Sequence, residues 1–296
     1  MAYFLLTLTT LFWAGNFVTA RGIHEDFPPL TMSFIRWGLA LVIISPLFIP
    51  RLKRNWPLIR QHLPILSLLA IVGVASFNSL IYIGLQTTMA TNATLMQSGI
   101  PIIILMISSL FLGESVSARQ WIGVFISLAG IITLIGRGDI SILQSLAFNS
   151  GDLWVFVAVL CWSAYSVLLR WKPVELDGFT FFGFTVMVAV MVIFPFMLWE
   201  VLSGLAPVWS VRTSGAIVYM AICPSILAYI FWNRGVAELG AATAGLFIHL
   251  LPLFGLILSV IFLGEQIQTF HLTGMGLIFT GIYLAIISRP VANNRK

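Results

Sequence analysis

The sequence predicts an all-α membrane protein, ten transmembrane helices arranged as two inverted five-helix repeats around a central cavity. Three observations lead there. Of 296 residues, 59% are hydrophobic and 8% charged, with a mean hydropathy of +1.03; an ordinary soluble domain carries about 25% charged residues. Apolar runs of about 20 residues, the length of a bilayer-spanning helix, recur between turn signals. The chain also repeats itself. Ile100 and Pro101, Phe111-Leu112-Gly113-Glu114, Gly123 and Gly130 return 151 residues later as Leu251 and Pro252, Phe262-Leu263-Gly264-Glu265, Gly274 and Gly281.

Spans are expected near 3–21, 28–49, 63–85, 91–112, 119–136, 152–170, 179–200, 213–233, 240–263 and 270–288. Helices satisfy their own backbone groups in lipid, and continuous apolar runs without period-two alternation argue against a β-barrel. The first span opens at Met1-Ala2-Tyr3 with no basic n-region and carries the first repeat copy, so it reads as a permanent helix. On it Trp13, Asn16 and Phe17 share a face. In the second, Arg36 lies about nine residues in, roughly 12 Å from the expected external end. Such a charge needs a partner or a watery surround; it either attracts a substrate carboxylate or bonds helix-end carbonyls and fixes the bundle. In the third, Val74, Asn78 and Tyr82 follow at i, i+4 and i+8, a polar stripe that either contacts substrate or ties helices together.

The fourth span carries Met96, Gln97 and Ser98 before Pro101, which removes an intrahelical bond and predicts a kink. The fifth carries Gly123 and Gly130. From the sixth onward the pattern returns: Trp162, Tyr165 and Ser166 match the first span's face, with Trp13 and Trp162, Arg21 and Arg170, Thr31 and Thr180, and Pro46 and Pro195 spaced by 149 residues. A two-residue loop difference reconciles this with 151. Thr185 stands in the seventh span where Arg36 stands in the second, Ser225, Tyr229 and Asn233 form the eighth span's stripe, and Phe247, Ile248 and His249 precede Pro252 in the ninth. Two mid-membrane indoles, Trp13 and Trp162, would either wall a flat apolar pocket or pack with their N–H groups satisfied locally. His249 either meets substrate, changing protonation, or is a satisfied structural histidine. Pro101 and Pro252 are the expected gating points.

The repeats divide the chain into residues 1–145 and 146–296. Five helices are an odd number, so the second unit enters from the opposite side, as in secondary transporters built from inverted repeats. Basic residues set the orientation. With both termini on one side, that side holds eleven, namely Arg51, Lys53, Arg54, Arg60, Arg119, Arg170, Lys172, Arg234, Arg289, Arg295 and Lys296; the other holds Arg21, Arg137 and Arg212. Both termini are therefore expected in the cytoplasm, and the net charge of +5 is a topology signal rather than a nucleic-acid-binding patch.

Phe12-Trp13-Ala14-Gly15-Asn16, Phe34-Ile35-Arg36-Trp37, Tyr82-Ile83-Gly84-Leu85 leading into Thr91-Asn92-Ala93-Thr94, Pro101 and Leu112-Gly113-Glu114 resemble the EamA repeat. The second half repeats most of it as Asn233-Arg234-Gly235, Ala241-Ala242-Thr243-Ala244, Pro252 and Gly264-Glu265, departing at Thr185 and at Trp232-Asn233. Two such units make the fold of the drug/metabolite transporter superfamily. By the aromatic density of helices 1, 3, 6 and 8 the chain looks most like bacterial exporters of aromatic amino acids, which implies an inner-membrane protein.

The expected function is export of small metabolites, chiefly aromatic and other apolar amino acids, by alternating access. Trp13, Trp162, Tyr82 and Tyr229 would form cavity walls and Asn16, Asn78, Gln97 and Asn233 would orient polar groups, with Tyr165 and His249 as further contacts. The acidic residues all fall in loops or near span ends, which points to passive transport; Glu114 and Glu265 read as caps of the following helices. The alternatives are proton-coupled export of other amino acids, drugs or metabolites, and a substrate-selective channel. No nucleophile–base pair, metal cluster or Walker A sequence is visible, and Cys161 and Cys223 have no ligand or redox spacing. The chain is thus expected not to be an enzyme and to need no cofactor or metal. Its expected partners are a small-molecule substrate and the lipid bilayer, without nucleic acid or an obligate protein partner.

Overall fold

The computed structural model describes residues 1–88, 90–113, 116–144, 149–263 and 268–287. Among them ten helices are long and apolar enough to cross a membrane: α1 (Ala2–Ala20), α2 (Pro29–Gln61), α3 (Leu63–Gly84), α4 (Asn92–Leu112), α5 (Ala118–Ile135), α6 (Ser150–Trp171), α7 (Gly178–Leu202), α8 (Val211–Leu239), α9 (Ala241–Leu258) and α10 (Thr269–Ile287). The expected caps Glu114 and Glu265, and the boundary at 145/146, lie outside the described residues.

The second helix differs from its expected end near 49. It runs on to Gln61 through Pro46, Pro50 and Pro57. Each proline removes a donor, yet Leu52, Leu58 and Ile59 of the extension pack onto the core, Ile59 fully buried, and tertiary packing outweighs the lost bonds.

Helices from the two halves of the chain pair antiparallel. Between α2 and α7, the Glu200 carboxylate accepts from the amides of Leu30 (3.0 Å) and Thr31 (2.6 Å) and from the Thr31 hydroxyl (2.8 Å), which caps the start of α2 from another helix. Further along, Phe48 fills the space over Gly183. At the far end the Arg51 guanidinium lies 5.0 Å from the Phe179 ring centroid, beside Asp177, the N-cap of α7. Numbers rise along α2 as they fall along α7.

Between α5 and α10 the contact is backbone on backbone. A Cβ on Gly123 would lie 2.5 Å from the Gly281 carbonyl, and one on Gly130 would lie 2.7 Å from that of Gly274. Only glycine permits this approach, the small-residue packing by which membrane helices associate. Similarly, a side chain on Gly84 of α3 would strike Val155 of α6, and one on Gly235 of α8 would strike Leu6 of α1.

Among the described residues, four spans are irregular within their length. A π-helical stretch occupies Ala70–Ser76 in α3 and another Ala221–Leu227 in α8, equivalent positions at the repeat spacing of 151. The α4 helix breaks at Ser98 and Gly99, and α9 narrows to a 3-10 turn at Phe247–Leu250. Pro101 and Pro252 follow directly, each the second residue of the resumed helix, where a missing N–H costs least.

Candidate substrate path

The π-helical stretches displace the i→i−4 ladder and leave carbonyls for other donors. At Gly73 the carbonyl accepts from the Tyr229 hydroxyl (2.9 Å); at Pro224, the matching position of the other half, it accepts from Trp13 Nε1 (3.2 Å). Each bond crosses between halves of the chain. Around them the aromatic side chains close into a layer. Trp13 and Trp162 meet edge to face with centroids 5.0 Å apart, and Trp162 and Tyr229 do so at 5.4 Å, favoured geometries for such rings. Trp232 packs 5.2 Å from Trp13, and all four are buried.

Beside this layer Arg36 is fully buried. Its Nε donates to Ser225 Oγ (2.5 Å), and Nη1 donates to Asn78 Oδ1 (2.9 Å), Asn16 Oδ1 (3.3 Å) and the Tyr82 hydroxyl. A charged side chain at membrane depth costs about 2.5–3.5 kcal/mol on insertion scales, and these acceptors offset it. The network extends onward, because Asn78 Nδ2 donates to the Tyr229 hydroxyl at 2.8 Å. Helices α1, α2, α3 and α8 are thereby tied together, and the network gathers Asn16, Asn78, Tyr82 and Tyr229.

A cavity of about 700 Å³ opens at one end of the bundle, within the roughly 300–1,000 Å³ usual for small-molecule sites. Its apolar wall includes Phe181 and Ile230; Asn233 supplies a polar group, and Arg170, Lys172, Asp177 and Arg234 are among its charged lining residues. Of the expected contact residues, Asn233 lines this cavity, and it accepts from the Tyr165 hydroxyl at 2.7 Å. Trp13, Asn16, Asn78, Tyr82, Trp162 and Tyr229 lie behind it in the sealed layer. Burial holds the Lys172 ammonium below the usual lysine range, although Asp177 and Glu175 oppose the shift. For Asp177, burial raises the carboxyl, but hydrogen bonds from Thr180, the Arg51 charge and the Phe179 amide outweigh it and hold it low.

Gln97 and His249 sit elsewhere. Gln97 Nε2 donates back to the Ala93 carbonyl of its own helix at 3.3 Å. His249, fully buried at the narrowed turn of α9, lies 2.9 Å through Nε2 from the Ser98 carbonyl at the break of α4, and 2.5 Å through Nδ1 from Ser127 Oγ of α5. A carbonyl only accepts, so Nε2 carries the proton and the ring joins three helices. The residues that sequence reasoning left without a role include Trp37, whose ring meets Tyr229 at 5.0 Å, Trp232 of the aromatic layer, and the carbonyls of Gly73 and Pro224. Pro224 inside a span was the available signal for the last of these.

A family model for the EamA-like transporter family matches residues 1–136 and again 149–287. The chain belongs to the EamA-like transporter family. Relatives of this EamA-like transporter include the uncharacterized transporter YyaM of Bacillus subtilis, 28% identical over 99% of this chain and 97% of that protein. An uncharacterized transporter of Archaeoglobus fulgidus is 27% identical over 95% and 96%. A probable terminal-alkyne amino-acid exporter of Streptantibioticus cattleyicolor is 24% identical over 100% and 96%. A protein of known crystal structure superposes with a TM-score of 0.77 at 19% identity, covering 97% of this chain and 96% of its own, which shows the shared fold. The EamA-like chain is a multi-pass membrane transporter and not an enzyme.

Proposed function

We propose that this EamA-like transporter exports small metabolites, chiefly aromatic and other apolar amino acids, by passive alternating access between two inverted units, residues 1–145 and 146–296. The observation that carries this reading is the asymmetry of the path: a cavity open at the end bearing Arg170, Lys172 and Arg234, and a sealed aromatic and polar layer beyond it. On the charge bias that open end is cytoplasmic, in a bacterial inner membrane with both termini inside. Substrate would enter against Phe181 and Ile230, meet Asn233, and pass Trp13, Trp162, Tyr82 and Tyr229 when the halves exchange conformation. Asn16, Asn78 and Tyr165 would turn from holding the seal to holding substrate, while Gln97 and His249 would sit at the broken helices that pivot before Pro101 and Pro252.

The paired irregularities of α3 with α8 and of α4 with α9 support such an exchange, since each half carries the same soft points. The name of the Streptantibioticus relative supports an amino-acid substrate. Passive operation is favoured because the buried carboxylates among the described residues, Asp152 and Glu200, sit at span ends, where helix-start groups bond them. The test is efflux of labelled phenylalanine, tryptophan, threonine and a nucleotide sugar from proteoliposomes with no ion gradient. Aromatic efflux supports the reading; efflux only of another solute, or only under a proton gradient, replaces it.

A further inference from the structure

The unpartnered polar atoms around the sealed layer are of one kind. Arg36 Nη2, Trp37 Nε1, Trp162 Nε1, Trp232 Nε1 and Asn233 Nδ2 are buried without a hydrogen-bond partner among the described residues. Each is an N–H donor, and arginine and tryptophan side chains contain no acceptor, so these groups cannot satisfy one another. Ring contacts link their side chains in series. The Arg36 guanidinium lies 4.8 Å from the Trp37 ring centroid, Trp37 and Trp162 both meet Tyr229 edge to face, and Trp162 and Trp232 are 5.4 Å apart. Asn233 follows Trp232 in the chain.

The nearby acceptors are already engaged. Asn16, Asn78 and Tyr82 take Arg36 Nη1, and Ser225 takes Nε. Among the described residues Arg36 forms no ion pair, so a full positive charge sits in the bundle opposite neutral groups alone. A buried donor left open is costly, and a buried charge without a counter-charge more so. Such a deficit asks for a ligand that brings acceptors and negative charge. An ionised carboxylate is acceptor-only, with about four lone-pair sites, and pairs with a guanidinium through charge-assisted bonds. An amine alone would add donors to a site that lacks acceptors.

We propose that the transported molecule is recognised through a carboxylate, which docks on Arg36 Nη2 and the indole N–H of the adjacent Trp37, its apolar body against Tyr229 and the indoles beyond it. This rests on reading the layer as part of the substrate path. Between the open cavity and the buried arginine lie polar side chains, interrupted by one ring contact. Tyr165 donates to Asn233 at the cavity wall, the Tyr165 and Tyr229 rings lie 6.4 Å apart, and Asn78 bridges Tyr229 to Arg36. The ammonium of an amino acid would then face the aromatic rings.

The test is equilibrium binding of labelled phenylacetate to the purified full-length protein, with unlabelled phenylacetamide and phenethylamine as competitors. Wild type is expected to prefer the acid over its neutral amide by about tenfold or more. Arg36→Gln should abolish that preference, and Arg36→Lys, which keeps the charge but not the fork, should retain part of it. Equal binding of acid and amide, no binding of the acid, or a preference that survives in both variants overturns the proposal. If Arg36→Gln does not yield monodisperse protein, the wild-type comparison and Arg36→Lys decide alone. Acid preference without amino-acid efflux would discard the proposed substrates and keep the carboxylate site; efflux with no acid preference would do the reverse.

Discussion

The hydroxyl of Tyr229 donates to the carbonyl of Gly73, 2.9 Å away, at the π-helical stretch of α3. Its counterpart is the bond from Trp13 Nε1 to Pro224 O at the equivalent stretch of α8. The first joins the second half of the chain to the first, and the second joins the first half to the second. Backbone groups freed by the irregular turns are thus satisfied across the same seam that would separate during transport.

Removing the Tyr229 hydroxyl leaves the Gly73 carbonyl and Asn78 Nδ2 without their partner. Buried groups so exposed cost about 1–3 kcal/mol each. Tyr229→Phe is therefore expected to lower the thermal midpoint in detergent clearly, and Trp13→Phe by less, since it orphans one carbonyl. Scanning fluorimetry of both variants checks the order.

The α5–α10 contact gives a sharper contrast. Gly281→Ala would place a Cβ 2.4 Å from the Gly123 carbonyl and 2.5 Å from the Ser127 amide, whereas nothing lies within 4 Å of the equivalent point on Gly276 in the same helix. Overpacking of this kind typically costs about 1–3 kcal/mol. Gly281→Ala should destabilise by that order and Gly276→Ala should be neutral or mildly stabilising; equal effects would contradict the close approach.

Glycine pairs of this kind were legible from sequence, because Gly123, Gly130, Gly274 and Gly281 recur at one spacing and small residues permit close membrane packing. The shared face of Asn78 and Tyr82 was legible too, since helical periodicity survives in any bundle, but the meeting of both with Arg36 was not: the guanidinium bonds side chains rather than the helix-end carbonyls expected. The widening at Gly73 was not, because one extra residue in a turn leaves no mark on an apolar run; Pro224 marked only its partner. Nor could residue types reveal that Trp13 and Trp162 are packed against each other behind the cavity. Which rings meet is decided by how helices from the two halves pack, and residue types alone do not encode that. The continuation of α2 beyond Pro50 was hidden because local propensity opposes it and distant contacts at Ile59 decide it.

At the start of α7, Asp177 supplies a pH-dependent increment of stability. Its folded-state value is depressed, so the increment is present above the ordinary carboxylate value, about 3.9, and is lost as pH falls through the lower folded value. The carboxylate accepts from the Thr180 amide at 2.9 Å and the Thr180 hydroxyl at 2.6 Å. Thermal midpoints measured as the medium is acidified should fall less steeply for Asp177→Asn than for wild type; parallel curves would remove the capping account.

Accessibility should follow the asymmetry of the path. In a background lacking Cys161 and Cys223, cysteines at Val174 and Ile230, which line the cavity, should react with a membrane-impermeant maleimide applied from the cytoplasmic side. Cysteines at Asn16 and Ser225, buried in the arginine network, should be protected from both sides until substrate is added. Protection of Val174→Cys and Ile230→Cys from that side would place the opening elsewhere.

The central claim is that two halves exchange access to one aromatic site, and counterflow measures it most directly. Proteoliposomes loaded with unlabelled phenylalanine should take up labelled phenylalanine transiently above its external concentration, with no ion gradient. Trp162→Ala should weaken that overshoot by removing the rings' shared packing at the seam. Uptake that rises only to equilibrium, unaffected by substrate on the far side, would mean an open pore and would contradict alternating access.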